Sequence, residues 1–181
     1  MSSHTLPNQA VGDLTITAVS DGYLNASFDL LANIDPADAS RMQENAAIAD
    51  HTSIHINCYL VRGGGRTVLI DAGAGGFKHW GGRLEANMLL AGVQASEIDA
   101  ILLTHAHPDH IGGLIDSSRK AVFPNAELVV HQREVAFWQD DANLNRAPER
   151  TRGNFLVARQ AFDGYRDQLR TFDAGEVLPG M

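Results

Sequence analysis

Thr104-His-Ala-His-Pro-Asp-His-Ile-Gly-Gly113 is the stretch of sequence that says most about the fold and the chemistry of this chain. Within six positions it holds four side chains that can donate to a metal: His105, His107, Asp109 and His110. Imidazole and carboxylate are ligands that zinc and similar transition metals accept. Because Pro108 and the Gly112-Gly113 pair interrupt it, we predict a loop folded around a metal. Residues 104–113 are called the ligand loop below.

The segment before the ligand loop, residues 98–104, is apolar and predicts a buried strand. The ligands would therefore lie where a strand ends, a common place for an active site in α/β proteins. His105 and His107 are two positions apart in a nearly extended segment, so both rings can point the same way and share one metal. Asp109 and His110 follow Pro108 and can turn toward a second metal. A chance cluster of histidines on a solvated loop is the less favoured interpretation.

Composition limits the class of protein. The length of 181 residues suits one domain over residues 1–181 with a core of its own, and the net charge of −8 disfavours general nucleic-acid binding. The sequence contains no run of about 18 apolar residues, so no membrane-spanning helix is predicted. The first residues have neither a basic start nor an apolar stretch, so no secretory signal is predicted and a cytoplasmic location is expected. Cys58 is the lone cysteine and is predicted to pack in the core.

Hydrophobic periodicity and turn residues predict strands followed by alternating strands and helices, which indicates a sheet-based α/β domain. The predicted strands are residues 14–19, 54–62, 66–71, 98–104 and 126–131. The predicted helices are residues 36–42, 83–91, 133–139 and 151–169. Asp21-Gly22 is interpreted as a turn that closes the first strand, and Gly63-Gly64-Gly65 as the turn of a hairpin. Phe137 and Trp138 are predicted to be core residues, and His131 a structural one.

The ligand loop resembles the signature of the metallo-β-lactamase superfamily. Thr67-Val-Leu-Ile-Asp-Ala-Gly73 matches the upstream motif of that superfamily at the usual distance. Residues 57–62, 71–75 and 123–131 resemble the branch of lactonases and methyl-parathion-hydrolase-like enzymes more than the antibiotic-destroying lactamases. The resemblance covers nearly all of residues 12–181. It is highly specific for the superfamily and poorly specific for the substrate.

The resemblance implies roles for particular residues. His105 and His107 would serve one zinc ion, and Asp109 and His110 the other. Asp109 would also act in catalysis together with a metal-bound hydroxide. Asp71 would orient a ligand or the loop, although an acidic residue that caps a strand-to-loop turn explains it equally well, and Thr104 would hydrogen-bond within the loop. Gly73, Gly75 and Gly76 are interpreted as room for the backbone beside the ligand loop, since no Gly-Lys-Ser/Thr follows them.

The fold implied is an αββα sandwich, classed as α/β or by some schemes as α+β, of which residues 1–181 would be the N-terminal part. The superfamily takes further ligands from its second half, and no histidine follows His131 here. Each metal would then have two ligands, whereas a catalytic zinc usually has three plus water. Three explanations stay open: a fragment of a longer product, an inactive natural truncation, or a homodimer in which each copy supplies half a sandwich. The first is favoured because nothing in residues 1–170 looks degenerate.

The expected function of the full-length protein is that of a binuclear zinc-dependent hydrolase, and whether residues 1–181 act alone stays open. Two Zn²⁺ ions, or other divalent metals, would hold a bridging hydroxide that attacks a lactone, an ester or a phosphotriester. The expected partner is a small-molecule substrate, without nucleic acid or membrane. Two alternatives remain: a non-catalytic fragment that binds metal weakly or acts by association, and a redox or sulfur-handling member of the superfamily that uses one iron.

Overall fold

Seven strands form one sheet in which each strand lies beside its neighbour in sequence. The computed structural model describes residues 6–46 and 52–178. The strands are β1 (Asn8–Val11), β2 (Leu14–Asn25), β3 (Ser53–Gly63), β4 (Arg66–Ile70), β5 (Ala100–Leu102), β6 (Glu127–His131) and β7 (Leu169–Phe172). Pairing is antiparallel from β1 to β4 and parallel from β4 to β7. This mixed sheet, with helices between its strands, confirms the predicted α/β class.

Six α-helices accompany the sheet in the described residues. They are α1 (Pro36–Asn45), α2 (Leu84–Leu90), α3 (Pro108–Ile111), α4 (Gln132–Gln139), α5 (Asp141–Arg146) and α6 (Glu149–Gly164). α1 begins where the sequence indicates, because Asp35 caps it by accepting a 2.8 Å hydrogen bond from the amide of Ala37. No helix among the described residues combines the length and the apolar character needed to cross a bilayer.

The two faces of the sheet carry separate apolar clusters. On one face Leu69, Ile101 and Leu128 pack with residues of α2, α4 and α6, and the predicted core residue Cys58 is buried there. On the other face Val68, Ala100 and Val129 form a second cluster with Leu178. Since successive strand residues point to opposite faces, the same three parallel strands contribute to both clusters. Packing on both sides fixes the strands whose ends carry the ligand loop.

β2 is longer than predicted. The sequence predicts a strand over residues 14–19 that a turn at Asp21-Gly22 closes, but β2 continues to Asn25 with a register shift between Ser20 and Gly22. Asp21 is the extra residue of this bulge, which is a device that redirects a side chain without ending the strand. The predicted hairpin is confirmed, because β3 and β4 pair up to Gly63 opposite Arg66.

The predictions for the last third of the chain were wrong in part. The helix predicted over residues 151–169 ends at Gly164, and residues 169–172 form β7 instead. The physical reason is that the Tyr165 side chain is buried, with its hydroxyl oxygen 3.1 Å from the amide nitrogen of Phe123, and this contact turns the chain back to the sheet. β1, α5 and β7 were not predicted. Trp138 is buried as predicted, whereas Phe137 is 47% exposed and is not a core residue.

Candidate metal centre

The ligand loop lies at the edge of the sheet where the parallel strands β4, β5 and β6 end. Its second half is not the irregular loop predicted from the sequence, because residues 108–111 form the single turn α3. The amides of His110 and Ile111 both donate to the carbonyl of His107, at 2.9 and 3.0 Å. Pro108 stands at the first helical position, where its missing N–H and fixed φ are tolerated, so it starts a turn rather than breaking one.

The structure brings the four predicted donors together. The ring centroids of His105 and His107 are 4.7 Å apart, and those of His105 and His110 are 4.0 Å apart. His110 Nε2 lies 3.3 Å from a carboxylate oxygen of Asp109. Three imidazoles and one carboxylate therefore share a small surface at the end of β5.

Asp71 holds this cluster in place through hydrogen bonds. It directly follows β4, is only 5% exposed and has a φ of 57°, a left-handed conformation that Asp tolerates better than most residues. Its carboxylate accepts from the Thr104 amide at 2.8 Å and from the Thr104 hydroxyl at 2.8 Å, and it lies 2.7 Å from His110 Nδ1. With Nδ1 held by Asp71, the Nε2 atom of His110 points toward Asp109 and is the atom left for a metal.

Thr104 links a second histidine to the same carboxylate. Its hydroxyl oxygen is 3.1 Å from His105 Nδ1. Because the one hydroxyl proton goes to Asp71, the proton in the contact with His105 must come from Nδ1. The Nε2 atom of His105 is then unprotonated, which is the state required of a metal ligand.

The charges of these groups differ although they lie side by side. Burial opposes the charged form of His110, but hydrogen bonds with Asp109 and Asp71 outweigh it and raise the pKa of His110 to about 9. Burial, together with the neighbouring imidazoles of His110 and His107, lowers the pKa of His105. Burial also opposes ionisation of Asp109, yet the hydrogen bond from His110 gives that carboxyl a pKa below its usual value. The carboxylates of Asp71 and Asp109 thus stabilise a positive charge on the His110 ring. A cation bound at this ring would replace its proton.

The glycine-rich turn after Asp71 packs against the backbone of the ligand loop. The amide of Ala72 donates to the carbonyl of His110 at 2.8 Å, and the amide of Gly113 donates to the carbonyl of Gly73 at 3.1 Å. A Cβ atom on Gly75 would lie 2.6 Å from the Cα of Gly113. The predicted role as room for the backbone beside the ligand loop is confirmed for Gly75, whereas a Cβ atom on Gly73 would meet the side chain of Asp21 and Gly76 has open space around it.

Two residues beside the loop were missed by sequence reasoning. Glu134 on α4 accepts from the amide of Ala106 at 2.9 Å and from the indole nitrogen of Trp138 at 3.0 Å, so it ties the loop to this helix. Asp21 is fully buried and bonds the glycine-rich turn. A glutamate in the first turn of a helix and an aspartate before a glycine are ordinary patterns, so neither gave a signal. His131 has the structural role predicted for it, because it caps α4 through the amide of Arg133.

A cavity of about 350 Å³ adjoins the ligand loop at His107. Its walls are three aromatic side chains from α4 and α6 and polar residues around α5. The lining consists of His107, Phe137, Trp138, Asn143, Arg146, Ala147, Pro148, Thr151, Asn154 and Phe155. The exposed ring of Phe137 therefore faces a space next to a candidate ligand.

The donors present match zinc in type but not in number. Within residues 6–46 and 52–178 no group of three or more His, Cys, Asp or Glu side chains is arranged to hold a metal ion. The pairs His105 with His107 and Asp109 with His110 each offer two ligands, whereas a catalytic zinc site usually has three protein ligands and a water. The described residues therefore provide two pairs of possible ligands and no complete ligand set.

Comparison with known proteins places these features in a family. The model of the metallo-beta-lactamase superfamily matches residues 52–179. Among curated proteins, the uncharacterized protein YobT of Bacillus subtilis (strain 168) is 33% identical over 96 residues, which are 53% of this chain and 38% of YobT. Ribonuclease Z of Mycobacterium sp. (strain KMS) is 42% identical over 57 residues, which are 32% of this chain and 17% of that enzyme.

Solved structures extend the likeness to nearly the whole chain. The hydrolase AbOPH of the beta lactamase superfamily superposes with a TM-score of 0.84 at 30% identity, covering 96% of this chain and 62% of AbOPH. AidC, a dizinc quorum-quenching lactonase, superposes with a TM-score of 0.85 at 28% identity, covering 95% of this chain and 62% of AidC. The chain thus spans less than two thirds of the proteins that it matches.

Proposed function

Since the chain belongs to the metallo-beta-lactamase superfamily, we propose that it carries half of the metal-binding machinery of a binuclear zinc hydrolase. The observation that carries this proposal is the meeting of His105, His107, Asp109 and His110 at the end of β5, with Asp71 bonded to the loop from below. The likeness to AidC, which is a dizinc lactonase, supports zinc as the metal.

His105 and His107 would hold one zinc ion, and Asp109 and His110 the other. Bound there, the metals would activate water and stabilise negative charge on the oxygen of the substrate. The work of the protein is to keep the ligands in place. Asp71 sets the orientation of His110 directly and that of His105 through Thr104, so the Nε2 atoms of both rings are available together. Asp109, whose low pKa keeps it ionised, adds negative charge beside His110.

The substrate is proposed to be a small lactone, ester or phosphotriester with an apolar substituent. The cavity beside His107 supports an apolar substituent, since Phe137, Trp138 and Phe155 provide aromatic walls and Arg146 adds a positive group. Small-molecule sites are typically apolar clefts with a few polar groups that fix orientation. A substituent in this cavity would leave the reacting bond next to the ligand loop.

The test combines metal analysis with hydrolysis. We expect the full-length protein to bind about two zinc ions and to hydrolyse at least one of three substrates: an N-acyl homoserine lactone, an aryl ester or a phosphotriester. His107→Ala should remove hydrolysis and weaken zinc binding, while His55→Ala, at an exposed histidine on β3, should keep both. Full activity of His107→Ala, or of protein stripped of metal by a chelator, would contradict the proposal.

The alternative is a chain that binds metal weakly and acts only by association. Metal content by mass spectrometry and oligomer mass by sedimentation distinguish the two. Tight zinc binding with turnover favours the hydrolase, whereas weak binding without turnover favours the association role. A homodimer and a cytoplasmic location remain proposals, the first tested by the same sedimentation experiment. A single iron in the purified protein would favour the redox or sulfur-handling alternative.

A further inference from the structure

Asp21 is a fully buried carboxylate that accepts four hydrogen bonds from backbone amides. One oxygen accepts from Ala74 at 2.7 Å. The other accepts from the three successive amides of Gly82, Arg83 and Leu84, each at 2.9 Å. Burying a carboxylate carries a large desolvation penalty unless it is hydrogen-bonded, and bonds to an ionised acceptor are about twice as strong as neutral ones. Four such bonds make Asp21 a strong link between segments that are distant in sequence.

The two oxygens hold two different elements. The amide of Leu84 is the first of α2, where the first N–H groups have no partner within the helix, and the amides of Gly82 and Arg83 directly precede it. Arg83, the residue at the N-cap of α2, supplies no side-chain bond of its own. Asp21 therefore caps α2 from β2, and at the same time it grips Ala74 in the glycine-rich turn.

The glycines around Asp21 have no side chain because the carboxylate occupies that space. A Cβ atom on Gly73 or on Gly81 would overlap the carboxylate of Asp21. These two glycines, with φ values of 70° and 56°, also adopt a backbone conformation that favours glycine. The carboxylate can therefore lie this close to the backbone only because both positions are glycine.

The opposite side of the same turn touches the ligand loop. A Cβ atom on Gly112 would overlap the carbonyl of Ala74, and one on Gly75 would lie 2.6 Å from the Cα of Gly113. The backbone of Ala74 thus lies between the Asp21 carboxylate and residues 112–113 of the ligand loop, and contacts both. A shift of Ala74 cannot be absorbed without moving this segment, because interiors are close-packed.

We propose that Asp21 is a positioning residue for the ligand loop, acting through Ala74 on the backbone at Gly112 and Gly113. The proposal rests on the proposed function for its consequence, metal affinity, but its packing argument does not depend on any metal.

The experiment compares Asp21→Asn with Asp99→Asn by amide hydrogen exchange, read by NMR on the whole chain. Asn keeps the shape of Asp21 but turns one acceptor oxygen into a donor that faces donors. We expect the amide exchange rates of Ala74, Ala72 and Gly113 to rise by about tenfold. This factor corresponds to losing the protection that about one hydrogen bond provides. Amides between β3 and β4 should not change. Asp99, an exposed aspartate that accepts from the amide of Thr67 at 2.7 Å, is the control for the substitution itself, and its variant should leave Ala72 and Gly113 unchanged.

Two outcomes would overturn the proposal. Faster exchange confined to Ala74 and residues 82–84 would make Asp21 a local cap, and an equal rise throughout the sheet would make its role one of general stability. Asp21→Ser, which leaves room for water to accept from the amides, is used if Asp21→Asn does not fold. If neither variant folds, a selective role is wrong.

A second measurement separates this proposal from the proposed function. Zinc titration should show about tenfold weaker binding in Asp21→Asn, as is usual for residues that support metal ligands, with no change in Asp99→Asn. If the unsubstituted chain binds no zinc, the proposed function fails, and the exchange comparison alone decides whether Asp21 positions the loop. Unchanged zinc affinity in Asp21→Asn, with zinc bound by the unsubstituted chain, would contradict the positioning role.

Discussion

At the scale of single residues, Asp71 has the most connections to the candidate ligands. It bonds Thr104 and His110 directly and His105 through Thr104. We expect Asp71→Ala to lower the free energy of unfolding by about 1–3 kcal/mol, since it leaves partly buried donors without an acceptor. Zinc affinity should fall by about 10–100-fold. Urea unfolding and zinc titration check these values, and Asp71→Asn, which keeps one acceptor oxygen and tolerates the left-handed φ, should give a smaller loss in both.

Tyr165 provides a test that is independent of the metal centre. It is fully buried, and burial raises the pKa of its hydroxyl to about 12. Because the folded-state pKa lies above the unfolded value of about 10, folding is favoured by the protonated form. This contribution is fully present below pH 10 and is lost as the pH rises from 10 toward 12. We expect urea unfolding of Tyr165→Phe to show a shallower loss of stability over that interval, and equal slopes in both proteins would contradict the assignment.

At the scale of elements, Glu134 joins α4 to the ligand loop through the amide of Ala106, and the same oxygen accepts from Trp138 within α4. We expect Glu134→Ala to destabilise the protein by about 1–3 kcal/mol and to change the fluorescence of Trp138, whose indole N–H loses its acceptor. Glu149→Ala, at an exposed glutamate in the first turn of α6, is the control and should change neither property. An unchanged emission spectrum in Glu134→Ala would show that the indole finds another acceptor.

The sequence predicted elements well where the signal was local. The strands next to the site and helices α2 and α4 follow from apolar periodicity, the end of α2 also from Gly92, and the four candidate ligands lie within six positions of one another. β7 was not predicted, and its first residue was assigned to the preceding helix, because Leu169–Phe172 has no alternating pattern and its strand conformation comes from pairing with β6. Asp21 and Glu134 could not be found because each acts on residues 28 or more positions away. Contacts of that separation are set by the folded sheet rather than by local sequence.

At the scale of the whole molecule, metal binding should be visible as stability. A ligand that binds only the folded state adds about 4 kcal/mol to the free energy of unfolding at a concentration 1,000 times its dissociation constant. We therefore expect zinc to raise Tm and a chelator to reverse the rise. In His110→Ala the zinc-dependent rise should be much smaller, because one of the four donors is gone. Calorimetry with and without zinc checks this, and an equal rise in both proteins would place the metal elsewhere.

The strictly sequential order of the sheet has a consequence for how the protein is made. Since each strand from β2 onward pairs with the strand synthesised just before it, the sheet can grow at one edge while the chain is still leaving the ribosome. Asp21, Asp71 and the ligand loop all lie within the first 113 residues, so the parts that shape the candidate site are made early. These parts are therefore made before β6, α4 and α6, the elements that complete the packing around them.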